Sequence, residues 1–217
     1  MNFFLLNEIS TASILPAALL GVIGYKKGLP IYRPLLYFIW VGTVNEAISW
    51  VLIGMNRNNV VNSNVYVLIE YVLLLSIFYY WNERARKNRF MFLLAVGVLV
   101  WVVDNFLLHS LHTINSIFRV LYSIVILFLS INQVNKLIVY EKKKLIANAM
   151  FLTCMAFIFF YSYKAFIETF YILQLPFSKL FYLNLFQILL FVNLFTNLVY
   201  AIAILCIPSK QEFSLRL

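Results

Sequence analysis

Charge is what this chain has least of: 12% of its 217 residues are Asp, Glu, Lys or Arg, about half the share usual in soluble domains. There is too little of it to cover a water-facing surface, which argues against a soluble globular fold. Histidine is scarcer still, with only His109 and His112. A zinc-dependent lipid hydrolase of the seven-span type needs three His with carboxylates. Two histidines three apart in one loop suit at most a weak transition-metal contact, and two solvated loop side chains are the simpler reading. The two cysteines, Cys154 and Cys206, fall in separate apolar runs at different expected depths, so no disulfide is expected, and neither has metal-type spacing. No lysine lies between 180 and 207, which excludes a retinal Schiff base in the last span. Ser-His-Asp order, a phosphate-cradling glycine loop and a Gly/Ser- or Pro-rich linker are also missing. Cofactors and resident metals are therefore not expected, and residues 1–217 read as a single domain.

What is present is apolar length. Hydrophobic residues make up 64% and the mean hydropathy is +0.90. Seven runs, 9–25, 35–55, 65–81, 90–108, 117–137, 145–173 and 180–207, are each long enough to cross about 30 Å of hydrocarbon at 1.5 Å per residue. The fold class expected is all-α, a polytopic transmembrane bundle of seven helices. The first run has no basic stretch before it, and Lys26 and Lys27 follow it. It should therefore stay in the membrane rather than be cleaved as a signal peptide. The first three and last three runs share no motif, so a repeat-built carrier is disfavoured.

The net charge of +9 does not point to nucleic acid, because the basic residues sit in short connections rather than on one solvated face. They fit contact with anionic membrane lipids instead. Alternate connections hold Lys26, Lys27 and Arg33; Arg84, Arg86, Lys87 and Arg89; Lys136, Lys142, Lys143 and Lys144; and Lys210 and Arg216. The opposite side holds only Arg57, Arg119, Lys164 and Lys179. Thirteen against four predicts the N-terminus outside and the C-terminus in the cytoplasm.

A carboxylate inside a bilayer costs roughly 2.5–3.5 kcal/mol on insertion scales, so each one here needs a reason. Glu46 should lie near the midplane, whereas Glu70 and Asp104 should lie about 8 Å and 6 Å from the outer surface at 1.5 Å per residue. Arg119, Lys164 and Glu168 sit close to that surface. Helical spacing places Gly42, Asn45, Glu46 and Ser49 on one face, Gly97, Trp101 and Asp104 on another, and Tyr161, Lys164, Glu168 and Tyr171 in one stripe. Asn45, Glu46, Glu70, Asp104, Arg119, Tyr161, Lys164 and Glu168 are thus the candidate ligand-binding residues of a pocket open to the outside. A closed network of ion pairs, with Arg119 and Lys164 reaching the headgroups, is the competing structural reading. Glu46, the deepest, could donate a hydrogen bond, hold a proton or take a cation, while Asn45, Asn184, Asn193 and Asn197 read first as bonds between helices. MNRNNVVNSN reads as a flexible turn. The hairpin AFIETFYILQLPFSKLFYLNLFQ is dense in rings and should lie at the outer interface as a belt, a lid or a wedge.

The Asn45-Glu46 pair, the Asn-rich turn and NVYVLIEYVLLL, with Asn64, Tyr66 and Glu70, resemble small uncharacterised bacterial seven-span membrane proteins. The resemblance implies an inner-membrane location and groups Glu46, Asn64, Tyr66 and Glu70 as a set. It supplies no activity. The expected function is receptor-like or sensory ligand binding, with a cytoplasmic or membrane signalling partner. The alternatives are a membrane-embedded enzyme on a lipid or lipid-linked substrate, using Glu46 or Asp104 as acid or base, and a small proton-coupled carrier.

Overall fold

The structure is a computed structural model that describes residues 3–82, 87–140, 145–173 and 176–208. Arg84, Arg86, Lys142, Lys143, Lys144, Lys210 and Arg216 of the charge pattern lie outside them. Among the described residues there is no strand, and seven helical stretches are long and apolar enough to cross a membrane. This is a multi-pass, all-α membrane protein.

The first crossing, Leu5–Lys26, is built from α1 (Phe3–Ala12) and α2 (Leu15–Lys27) rather than from one helix. Pro16 has no N–H to return to Ala12, so the ladder breaks there, and the Ser13 hydroxyl bonds the Ser10 carbonyl at 2.5 Å beside the break. A single turn, Pro30–Tyr32, leads into α3 (Arg33–Gly54). Asn56 ends α3 in the left-handed region at φ 54°, where asparagine is tolerated. The Arg57 and Asn56 amides then bond the Leu52 and Ile53 carbonyls at 2.9 Å each, a Schellman closure.

α4 (Val60–Trp81) starts five residues before the expected 65, because half of the Asn-rich stretch is helix. Its Asn62 and Asn64 find partners on neighbouring segments instead of serving turn chemistry. α5 (Lys87–Val102) continues into a wider π turn, Val103–Leu108. α6 spans Ser116–Tyr140, α7 Ala149–Leu173 and α8 Lys179–Leu205. α7 starts later than the expected 145, since Leu145–Ala147 is a separate turn and the Asn148 side chain caps the helix by accepting the Met150 and Phe151 amides.

Contacts between neighbours close a ring: α2 with α3, α3 with α4, α4 with α6, α6 with α7, α7 with α8, and α8 back to α2 and α1. α5 stands outside that ring against α4 and α6. The half of the bundle near the basic connections is tightly packed around Leu35, Ile39, Leu74, Ile77 and Phe157, all fully buried. Phe38, Phe157 and Tyr200 meet there edge to face at 5.8–5.9 Å. Leu19, Phe92, Leu107, Phe128 and Val139 stand exposed on the outside, an apolar exterior that matches lipid rather than water.

Candidate functional site

Above the aromatic floor the ring lines a cavity of about 340 Å³, at the small end of the range known for ligand pockets. Its walls come from six of the seven crossings, every one except that of α5. Asn45, Glu46, Glu70, Arg119, Tyr161, Lys164 and Glu168 all line it. Asp104 does not.

Glu70 is the centre of the polar frame. Its Oε1 accepts the Tyr161 hydroxyl at 2.8 Å, and its Oε2 accepts the Tyr122 hydroxyl at 2.6 Å and the Lys164 ammonium at 3.3 Å. Lys164 also donates to the Tyr122 hydroxyl and lies over the rings of Tyr122, Phe160 and Tyr161 at 5.0, 5.4 and 5.7 Å. A buried carboxylate with three donors is satisfied, and the ring faces add further stabilisation to the cation. One residue of α4 is thereby tied to α6 and to α7.

Arg119, in the first turn of α6, makes the second anchor. Its Nη2 donates to Ser63 Oγ at 2.8 Å and Asn64 Oδ1 at 3.1 Å, and its Nη1 stands 3.7 Å from Glu168 Oε1. Glu168 in turn accepts the Ser116 hydroxyl at 2.5 Å. Asn64 donates to the carbonyls of Leu111 and Thr113, and its own carbonyl accepts the Trp101 indole N–H at 2.8 Å. The connection after α5 is thus pinned to the start of α4.

Glu46 differs from every other acid here. Among the described residues no cation and no hydrogen-bond donor meets its carboxylate, although it lines the cavity. Its neighbour Asn45 accepts from Asn62 at 3.0 Å, the bond between helices that the sequence suggested. The hydroxyls of Tyr66 and Tyr200, which also line the cavity, make no hydrogen bond among the described residues. On α8, Asn193 donates to Ser10 Oγ at 3.1 Å and Asn197 to Ser13 Oγ at 2.9 Å, closing the cavity wall against α1 and its break.

Asp104 belongs to a different arrangement. It lies in the π turn, fully buried, where Oδ2 accepts the Phe118 amide at 2.8 Å and Oδ1 meets His109 Nδ1 at 2.9 Å. It therefore caps the start of α6 from a neighbouring helix. It is not brought to the other seven because α5 lies outside the ring. Ser63, Tyr122, Thr196 and Tyr200 also line or brace the cavity and are not among the candidate residues of the sequence. Tyr66, one turn before Glu70, is marked there only by the NVYVLIE resemblance, and Tyr122 and Tyr200 are two of fourteen tyrosines with nothing local to mark them.

Fold and cavity together define a seven-helix membrane protein with a cavity lined by charged, polar and aromatic side chains in one half of the bundle. No family model, no curated protein and no solved structure matches the chain.

Proposed function

We propose that this chain is a receptor-like protein of a bacterial inner membrane that binds a ligand reversibly in its cavity. The N-terminus and the cavity face outside, and the C-terminus is cytoplasmic. One observation carries the reading: Glu70, Lys164, Arg119 and Glu168 are held among themselves and their neighbours, whereas Glu46 faces the same space with no partner among the described residues. A braced frame with a few unsatisfied polar groups is what a preorganised binding site requires. Orientation rests on the thirteen basic residues at one set of connections against four at the other. A separate cytoplasmic or membrane partner, engaging the basic end, would receive the signal.

A proton-coupled carrier is the second reading, favoured by the broken first crossing beside the cavity, since discontinuous helices often border transport sites. A lipid-modifying enzyme ranks below both, because acid–base chemistry calls for a positioned second group and every other acid or base lining the cavity is already engaged.

Thiol labelling tests the reading. With Cys154 and Cys206 replaced by alanine, a cysteine in place of Leu189, which lines the cavity, should react with an impermeant reagent added to intact cells. A cysteine in place of the buried Leu75 should not. Labelling of the first only after the cells are opened would reverse the orientation, and no labelling of it in folded protein would remove the aqueous route.

A further inference from the structure

The ionisable groups that line the cavity do not balance. Glu46, Glu70 and Glu168 face Arg119 and Lys164; the two cations are each paired with an acid, Lys164 with Glu70 and Arg119 with Glu168. Glu46 is left over. A carboxylate in such a place needs a proton or a counter-charge.

Further polar groups stand unsatisfied around the same space among the described residues: Arg119 Nε, the Thr196 hydroxyl and two tyrosine hydroxyls. Tyr200 is 4% exposed, and its hydroxyl makes no hydrogen bond among the described residues. Tyr66 is the other, and its hydroxyl reaches across to α3 beside Gly42, where an added Cβ would lie 3.3 Å from it. Gly42 precedes Glu46 by one helical turn, so the phenol and the carboxylate occupy one side of α3. Phenol oxygens accept N–H donors, and the aromatic walls offer electron-rich faces to a cation. Ile167 of α7 and Phe186, Leu189 and Leu190 of α8 supply an apolar wall to the same cavity.

We propose that the cavity takes a small protonated amine: a primary ammonium group set against Glu46 and the hydroxyls of Tyr66 and Tyr200, carried on a compact apolar body that packs against the α7–α8 wall. This rests on the ligand-binding reading above and specifies its ligand. An anion is disfavoured, because the lining carries three acids, Glu46, Glu70 and Glu168, against the two cations Arg119 and Lys164. About 340 Å³ is also too little for a two-chain lipid, whereas an amine of drug-fragment size fits.

The test uses the full chain in nanodiscs of zwitterionic lipid and three probes of matched shape: 2-phenylethylammonium, 2-phenylethanol and 3-phenylpropanoate. Calorimetric titration at neutral pH should show the ammonium binding at least about tenfold more tightly than either of the others, the ratio expected when one charge-assisted hydrogen bond is gained. Glu46→Gln should lose that preference while melting, without ligand, at the temperature of the parent protein, since Glu46 has no partner to give up among the described residues. Equal binding of alcohol and ammonium would assign a proton to Glu46 and overturn the proposal. Preference for the carboxylate would overturn it and leave the pocket standing. No binding by any probe, with the cysteine at 189 labelled from outside, would overturn the ligand class alone; with that cysteine unlabelled, the binding reading fails as well. Because the three probes are compared on the unaltered chain, the outcome does not depend on the variant folding.

Discussion

At the scale of single residues, Glu70 and Lys164 show how far charge in an apolar segment can be read. Their positions were legible because nothing else explains a carboxylate or an ammonium within such spans. Their pairing was not, since Glu70 and Lys164 are 94 residues apart and helical periodicity says nothing about which helices become neighbours. The same limit hid Tyr122, whose hydroxyl completes the Glu70 site yet looks in the sequence like any other buried ring. Both charges are nearly buried, with side-chain exposures of 5% for Glu70 and 13% for Lys164, so removing one should cost more than removing both. Lys164→Met, which strands Glu70, should destabilise the protein by about 3–5 kcal/mol. The Lys164→Met/Glu70→Gln double variant should recover part of that loss. Thermal melting of the four proteins of this cycle in one detergent checks it, and additive losses would show that the two side chains act independently.

At the scale of elements, α5 carries the clearest lesson. Its polar face, Gly97, Trp101 and Asp104, was legible as a face, but not what it turns towards. The structure turns it to α4 and to the start of α6: Gly97 receives the Tyr71 ring, Trp101 bonds the Asn64 carbonyl at 2.8 Å, and Asp104 caps α6. A single apolar crossing can line a chamber or brace it from outside with the same residue pattern, which is why Asp104 was grouped with the cavity acids. Tyr71 is anchored by its own hydroxyl on the Leu93 carbonyl at 2.7 Å, so the ring cannot easily retreat. An added Cβ at Gly97 would stand 2.1 Å from that ring. Gly97→Ala should therefore push α5 away at a cost of about 1–3 kcal/mol, and Asp104→Ala should cost about 1 kcal/mol as a lost cap. Neither should change the affinity for 2-phenylethylammonium beyond twofold. A large loss of affinity in Asp104→Ala, with α6 still folded, would return that residue to the site.

At the scale of the whole molecule, the number of crossings and the all-α class were legible because bilayer thickness sets a length that composition reveals directly. The closure of the ring was not, since it depends on how α8 meets the first crossing, through polar contacts that span 180 to 184 positions of sequence: Ser10 to the Leu190 carbonyl, Asn193 to Ser10 and Asn197 to Ser13. Those contacts sit beside the break between α1 and α2, so they are where a moving protein and a fixed one differ. In a receptor-like protein whose chamber already exists, tying α1 to α8 leaves ligand binding intact. A carrier must open the chamber towards the other face, and relative motion of two helix groups around the site is the usual means. Cysteines in place of Ser13 and Asn197, in the background without Cys154 and Cys206, can be joined by a short bifunctional thiol reagent. The joined protein should bind 2-phenylethylammonium within about twofold of the unjoined one. In liposomes it should show no amine uptake driven by a pH gradient, and neither should the unjoined protein. Uptake that is present before joining and abolished by it would replace the receptor with a carrier, because the α1–α8 seam would then be a moving part rather than a wall.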